Sequence, residues 1–154
     1  MNICQVPHRA LTIDFDGNCF ICHHAKWLPM PVGRIENITD LRNVWSSPIA
    51  RMLQQDIELK RFTWCATKHC GILKEQQQLA HYQITVMLNG LAEDSELNCT
   101  IDRLNKLFYL LDQFTESCII KIIGTTSTLD PTIVSLINNY TPTNPRQILN
   151  IQLT

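Results

Sequence analysis

Four cysteines in two distant pairs constrain the fold of this chain more than any other feature. Cys4 and Cys22 enclose a glycine-containing turn, and Cys65 and Cys70 enclose a short segment further along the chain. A domain with a thin hydrophobic core often needs a metal or another cross-link for stability. We therefore interpret Cys4, Cys22, Cys65 and Cys70 as the ligands of one metal centre.

The cysteine count and the N-terminal sequence favour a metal over disulfides. The chain has seven cysteines, an odd number, and residues 1–9 lack the apolar core of a signal peptide. We expect a cytoplasmic protein, and in that reducing compartment clustered thiols are more often metal ligands than disulfides. No apolar run approaches the roughly 20 residues that span a bilayer, so we expect no membrane association.

The charge distribution argues against nucleic acid as a partner. The chain has 13 Lys and Arg against 14 Asp and Glu, a net charge of −1, and no basic run. Binding to a phosphate backbone depends on clustered positive charge, which is absent from this sequence. The hydrophobic content of 45% indicates a globular protein.

The first cysteine pair flanks a predicted β-hairpin. An alternating strand begins at Leu11, Asp16-Gly17 is a two-residue turn signal, and residues 18–22 would return antiparallel. This register places Cys22 opposite Leu11 on the apolar face. Cys19 lies at an odd offset from Cys22 and should point to the opposite face.

Two sets of thiol ligands remain open from the residues alone. On a continuous strand Cys19 and Cys22 could not converge on one ion, so we expect Cys4 to be the partner of Cys22. If the strand breaks at Phe20, Cys19 and Cys22 could instead join Cys65 and Cys70 in a zinc site. His23 and His69 adjoin the ligands, and either could replace a thiolate.

The identity of the bound group is also open from spacing alone. Four thiolates from separated loops suit either a four-iron cluster or a structural zinc ion. A cluster with four cysteine ligands would relay electrons or support the fold, because it has no open iron for a substrate. A closed zinc site would contribute directly to folding.

The remaining pattern predicts a mixed α/β fold in two parts. Residues 1–71 should form a small metal-binding domain with a hairpin and two short helices, one beginning at Thr39 or Asp40 and one at Ser47-Pro48. Two sets of residues should face inward from these helices: Leu41, Val44 and Trp45 from the first, and Ile49, Met52 and Leu53 from the second.

The second part should be a partial parallel βαβαβ unit. Residues 72–82 form a polar connector, and residues 83–154 alternate predicted strands and helices. The predicted order is strand 84–88, helix 101–114, strand 118–123, helix 131–139 and strand 147–153. Helical spacing predicts that the first of these helices buries five residues: Leu104, Leu107, Phe108, Leu111 and Phe114.

The first 71 residues resemble the SPASM and twitch domains, the auxiliary iron-sulfur modules of radical SAM proteins. Those domains begin with a cysteine, a turn glycine and a second cysteine separated from the glycine by four residues, which Cys4, Gly17 and Cys22 match. They continue through a segment similar to residues 33–48 and end in a further cysteine group, here Cys65 and Cys70. The resemblance implies an auxiliary 4Fe-4S cluster, and four ligands correspond to the one-cluster twitch form.

The second part resembles the opening of a radical SAM barrel, in a degenerate form. Gly124 and Pro131 match the family's Gly-Gly-Glu-Pro-type run, but Thr126 replaces its glutamate. The CxxxCxxC motif that holds the SAM-binding cluster is absent, and its positions fall near Leu91, Ser95 and Asn98. The resemblance therefore implies a radical SAM-like protein with no SAM cofactor and no catalysis by this chain alone. Its expected partner is a peptide or protein substrate, or a chain that completes the barrel.

Overall fold

The structure is a computed structural model that describes residues 4–22, 30–62, 80–88 and 94–154, with side chains from residue 97 in the last range. Within these residues the chain forms one six-stranded, mostly parallel sheet in the order β3-β2-β1-β4-β5-β6. Its strands are β1 (Ala10–Ile13), β2 (Asn18–Phe20), β3 (Gly33–Arg34), β4 (Tyr82–Met87), β5 (Cys118–Gly124) and β6 (Gln147–Leu153). The mixed α/β prediction is confirmed.

Four α-helices accompany the sheet in the described part of the chain: α1 (Val6–Arg9), α2 (Pro48–Glu58), α3 (Asp94–Gln113) and α4 (Pro131–Asn139). Side-chain caps begin two of them, as the sequence predicts. The hydroxyl of Ser47 accepts a hydrogen bond from the Ala50 amide, and Asp130 accepts one from the Thr132 amide at 2.7 Å. None of these helices is long and apolar enough to cross a bilayer.

The short helix predicted at Asp40 is confirmed only as one turn of 3₁₀ helix, Leu41–Asn43. Asp40 does cap this turn, and the three residues expected to face inward are buried: Leu41, Val44 and Trp45. The prediction for α2 is partly wrong. Leu53 is buried, but Ile49 and Met52 are 44% and 47% exposed, and the inward side of α2 consists of Ala50, Leu53, Gln54 and Ile57.

The second part forms the predicted parallel order of β4, α3, β5, α4 and β6, but α3 begins at Asp94 and not at the predicted residue 101, and β4 begins at Tyr82 and not at residue 84. The five residues predicted to be buried by α3 are all in the hydrophobic core. On β5 alternate side chains are buried, with Ile120 and Ile122 in the core and Lys121 between them half-buried. The core therefore lies between the sheet and the layer of α3 and α4.

The hairpin extends this same sheet. Strand β1 pairs in parallel with β4, from Ala10 opposite Gln83 to Ile13 opposite Val86. A second connection is polar, because Arg103 on α3 donates a hydrogen bond to the Phe15 carbonyl at the hairpin turn at 2.9 Å. The segment that carries Cys22 is thus fixed to the α/β segment by strand pairing and by an α3 side chain.

Candidate metal centre

The hairpin turn differs by one residue from the prediction. Ile13 pairs with Cys19, which leaves a three-residue turn of Phe15, Asp16 and Gly17. Gly17 has a φ of +84°, in the left-handed region that glycine adopts most readily. The Asp14 carboxylate accepts hydrogen bonds from the amides of Asp16 and Asn18 and stabilises this longer turn. The prediction of a two-residue turn at Asp16-Gly17 is therefore wrong.

The one-residue shift exchanges the faces of the two hairpin cysteines. Cys19 lies in the main core with Leu11, Ile13 and Ile21, and it is fully buried. The predictions that Cys19 faces away from the apolar side and that Cys22 shares a face with Leu11 are wrong. Strand β2 does end at Phe20, the condition under which Cys19 and Cys22 could converge, but the two cysteines lie in different clusters.

The environment of Cys19 disfavours a thiolate. Burial raises the pKa of the Cys19 thiol to about 12, and the nearby carboxylates of Asp14 and Glu36 act in the same direction. The thiol lies 3.7 Å from the Gly17 carbonyl, at hydrogen-bonding distance for sulfur. Because metals bind the thiolate form, Cys19 is a poor ligand in this position.

Cys22 lies in a second apolar cluster that also receives Cys4. This group, here called the cysteine cluster, contains buried Phe20, Cys22 and Ile57, with Cys4 and Phe62 packed against it. Cys22 is buried, and Cys4 is half-buried. The structure thus brings the first predicted pair of ligands together, on the side of the hairpin away from Cys19.

Hydrogen bonds between α1 and α2 hold the segment next to Cys4. Gln54 is buried, and its amide nitrogen donates to the Pro7 carbonyl at 3.1 Å and to the Trp45 carbonyl at 2.8 Å. At the surface the Nε2 atom of His8 lies 3.1 Å from the Oε1 atom of Glu58. These contacts fix α1, which follows Cys4 directly, against the helix that supplies Ile57.

The second predicted pair, Cys65 and Cys70, lies outside the described residues, as do His23 and His69. Among the described residues no three His, Cys, Asp or Glu side chains are grouped so as to hold a metal. The structure therefore describes two of the four proposed ligands, Cys4 and Cys22. Two thiols with aromatic and aliphatic neighbours fit a soft-metal site shielded from water, such as an iron-sulfur cluster or a zinc ion.

Sequence reasoning missed the residues around these thiols. Phe20 was considered only as a strand position, and Ile57 and Phe62 were not singled out. The spacing of two residues between Phe20 and Cys22 in an extended segment could have identified Phe20 as a neighbour, but no local signal identifies Ile57. Nothing in the sequence near Phe62 indicates that it packs there.

The arrangement defines a mixed α/β protein with a cysteine-containing apolar cluster beside its hairpin. Residues 4–71 match the SPASM family, described as an iron-sulfur cluster-binding domain. The matched range contains all four predicted ligands and Cys19. No curated protein and no solved structure matches the chain.

Proposed function

We propose that residues 4–71 hold a 4Fe-4S cluster through the thiolates of Cys4, Cys22, Cys65 and Cys70. The observation that carries this proposal is the SPASM match, which spans all four cysteines. The packing of Cys4 and Cys22 in one cluster supports it from the structure. The burial of Cys19 in the main core, which raises its thiol pKa to about 12, argues against Cys19 as a ligand.

The neighbours of the thiols suit a shielded electron carrier or a structural centre. When bound, such a cluster supplies one-electron transfer, and its reduction potential depends on burial and on hydrogen bonds to its sulfurs. Phe20, Ile57 and Phe62 exclude water from the side of the site that they cover. Gln54 holds the backbone at Pro7, three residues after Cys4.

The proposed setting is a radical SAM-like protein in the cytoplasm. In this proposal residues 83–154 act as a scaffold derived from a radical SAM barrel, and SAM is not cleaved by this chain. The pairing of β1 with β4 supports the scaffold role, because it fixes the cluster-bearing hairpin to the parallel strands. The proposed partner is a peptide or protein substrate, or a chain that completes the barrel.

A structural zinc ion is the second candidate. Four thiolates from separated segments are also the donor set of a closed structural zinc site, and the apolar surroundings of Cys4 and Cys22 suit that ion equally. In this case the chain would be a zinc-stabilised interaction module. Its stability would then depend on zinc, and it would contain no sulfide.

Anaerobic reconstitution with iron and sulfide separates the candidates. We expect the parent chain to show the visible charge-transfer absorbance of an iron-sulfur cluster, with iron and sulfide in equal amounts. Alanine replacement of each proposed ligand should abolish it, whereas Cys19→Ala and the matched buried control Cys118→Ala should retain it.

Three results would count against parts of this proposal. Stoichiometric zinc without sulfide in the parent chain would contradict the iron-sulfur cluster and support the zinc-stabilised module. Loss of the cluster in Cys19→Ala with retention in Cys4→Ala would replace Cys4 by Cys19 in the ligand set. Loss of the cluster in Cys118→Ala as well would show that unfolding, and not removal of a ligand, explains the loss of the cluster in the other alanine variants.

A further inference from the structure

Strand β6 forms one edge of the sheet, and no described strand pairs with its outer side. It is seven residues long and follows β5 without a bulge, from Gln147 opposite Cys118 to Leu153 opposite Gly124. The strand contains no charged residue, no proline and no glycine. Natural proteins usually protect an edge with short strands, charges, proline or bulges, because an unprotected edge pairs with other strands. Strand β6 has none of these protections.

The ladder between β5 and β6 shows which backbone groups lie on the outer side. The Cys118 amide donates a hydrogen bond to the Arg146 carbonyl, and the Thr154 amide donates one to the Gly124 carbonyl. Successive residues of a strand direct their backbone groups to opposite sides, so the even-numbered residues of β6 bond to β5. The amide and carbonyl groups of three odd-numbered residues therefore point away from the sheet: Leu149, Ile151 and Leu153.

The side chains of β6 leave apolar surface uncovered on both faces of the sheet. Leu149, Ile151 and Leu153 pack against the main core from the helix-covered face, but at this edge they are only half-buried. On the other face Ile148 is 63% exposed, the highest value among the large hydrophobic residues that the structure describes. A strand added along β6 would cover apolar surface on both faces.

The sequence of β6 is complementary to itself in the antiparallel direction. With Asn150 on a two-fold axis, Leu149 lies opposite Ile151 of a second copy, and Ile148 lies opposite Gln152 of that copy. Leu149 and Ile151 both direct their backbone groups outward, as a pair that exchanges two hydrogen bonds requires. No like charges meet in this register, and the apolar pairs continue the core from one copy to the other.

We propose that β6 pairs antiparallel with β6 of a second copy of this chain, about a two-fold axis at Asn150. The two six-stranded sheets then form one continuous sheet. The contact uses the same strand of both copies, so the assembly closes at a dimer. The opposite edge does not extend it, because β3 has only two residues and one of them is Arg34. The proposal is independent of the metal centre.

Sedimentation equilibrium of the full 154-residue chain tests the dimer. Two strands of this length give a small interface, and small interfaces belong to weak complexes. We expect the average mass to rise from 17.7 kDa toward twice that value between about 10 μM and 1 mM, and no further.

Amide hydrogen exchange at both ends of this concentration range locates the contact. The amides of Leu149 and Ile151 point outward, so they should exchange several-fold more slowly at the higher concentration. The Gln152 amide points to β5, so its exchange should be slow at both concentrations.

Opposite charges at Asn150 test the position of the two-fold axis. Asn150 is exposed, and Asn150→Lys and Asn150→Glu each place two like charges opposite each other in the dimer. Each variant alone should self-associate about fivefold more weakly than the parent chain at low salt. An equimolar mixture should associate at least as strongly as the parent chain, because lysine then faces glutamate. The matched controls Asn138→Lys and Asn138→Glu, at an exposed site on α4, should self-associate like the parent chain.

Four results would overturn the proposal. The parent chain could remain monomeric up to about 1 mM, or its mass could rise past two copies. It could also dimerise without slower exchange at Leu149 and Ile151, in which case the contact lies elsewhere. These three results need no variant to fold. The fourth is a mixture of the two Asn150 variants that associates no more strongly than either variant alone, which would contradict the axis at Asn150.

Discussion

Substitution of Gly17 by alanine tests how the turn positions the cysteine-bearing hairpin. Gly17 has a φ of +84°, and a non-glycine residue in the left-handed region costs about 1–2 kcal/mol. A Cβ atom at this position would also lie 2.9 Å from the Nε atom of Arg103 and 3.1 Å from the Cγ2 atom of Ile35. Alanine therefore meets both a backbone and a packing penalty.

The packing penalty is at the low end of its range. The Arg103 side chain is flexible and can move away from an added Cβ atom, which keeps the penalty low. Its pairing with Glu36 and with the Phe15 carbonyl limits this movement, so the penalty is not zero. Overpacking costs about 1–3 kcal/mol, and we assign about 1 kcal/mol here. Gly17→Ala should thus lower the free energy of unfolding by about 2–3 kcal/mol in total. With a urea m-value of about 2 kcal/mol/M, the midpoint should fall by roughly 1–1.5 M.

Urea denaturation followed by tryptophan fluorescence measures this loss, with Gly33→Ala as the matched control. A Cβ atom on Gly33 would have nothing within 4 Å, and Gly33 has no positive φ. Gly33→Ala should change stability by less than about 0.5 kcal/mol. Gly17→Asn separates the two penalties, since asparagine tolerates the left-handed region but carries the same Cβ. Equal midpoints for Gly17→Ala and Gly33→Ala would refute the reasoning.

Two further predictions concern α2 and the buried thiols. Leu53→Ala should destabilise the chain by about 2–5 kcal/mol, and Ile49→Ala, at an exposed site, by less than about 1 kcal/mol; equal losses in urea denaturation would contradict the assigned inner face. Burial raises the pKa of the Cys19 and Cys118 thiols from 9.0 to about 12, so the folded state keeps protons that the unfolded chain releases. The free energy of unfolding should therefore fall as the pH rises above 9. At pH 8 iodoacetamide should modify the exposed Cys99 before the buried Cys19 and Cys118, and mass spectrometry that finds Cys19 modified as early as Cys99 would contradict this environment.

Local signals in the sequence predicted the second part of the fold closely. The predicted bounds of α4 and β6 are those of the structure, and the start of α4 is marked in the sequence by Asp130 at the N-cap and Pro131 in the first turn. The helical spacing of Leu104, Leu107 and Leu111 likewise identified the buried side of α3. These features depend on neighbours within a few residues, which a sequence displays directly.

Features set by distant or competing contacts were not predictable in the same way. The hairpin register depends on whether Asn18 lies opposite Phe15 or opposite Asp14, as it does in the structure, and the sequence permits both. On α2 the apolar residues Ile49 and Met52 lie next to the buried side of the helix. The spacing of apolar residues alone therefore does not show where the buried side ends. The pairing of β1 with β4 joins segments some 70 residues apart, and no local pattern specifies it.

For the candidate site, the sequence identified the thiols but not their surroundings. The preference for Cys4 over Cys19 as the partner of Cys22 followed from strand alternation, although the register used for it was wrong. Strand β2 ends at Phe20, so alternation does not extend to Cys22, and the separation of Cys19 from Cys22 rests on the different clusters in which they lie. The shielding by Phe62 required tertiary structure.

The most direct test of the central claim is a Mössbauer spectrum of the parent chain reconstituted anaerobically with ⁵⁷Fe and sulfide. The proposed ligand set predicts the signal of a 4Fe-4S cluster with about four irons per chain. A spectrum with only mononuclear iron, or a chain that excludes iron and retains zinc, would contradict the claim that these four cysteines hold an iron-sulfur cluster.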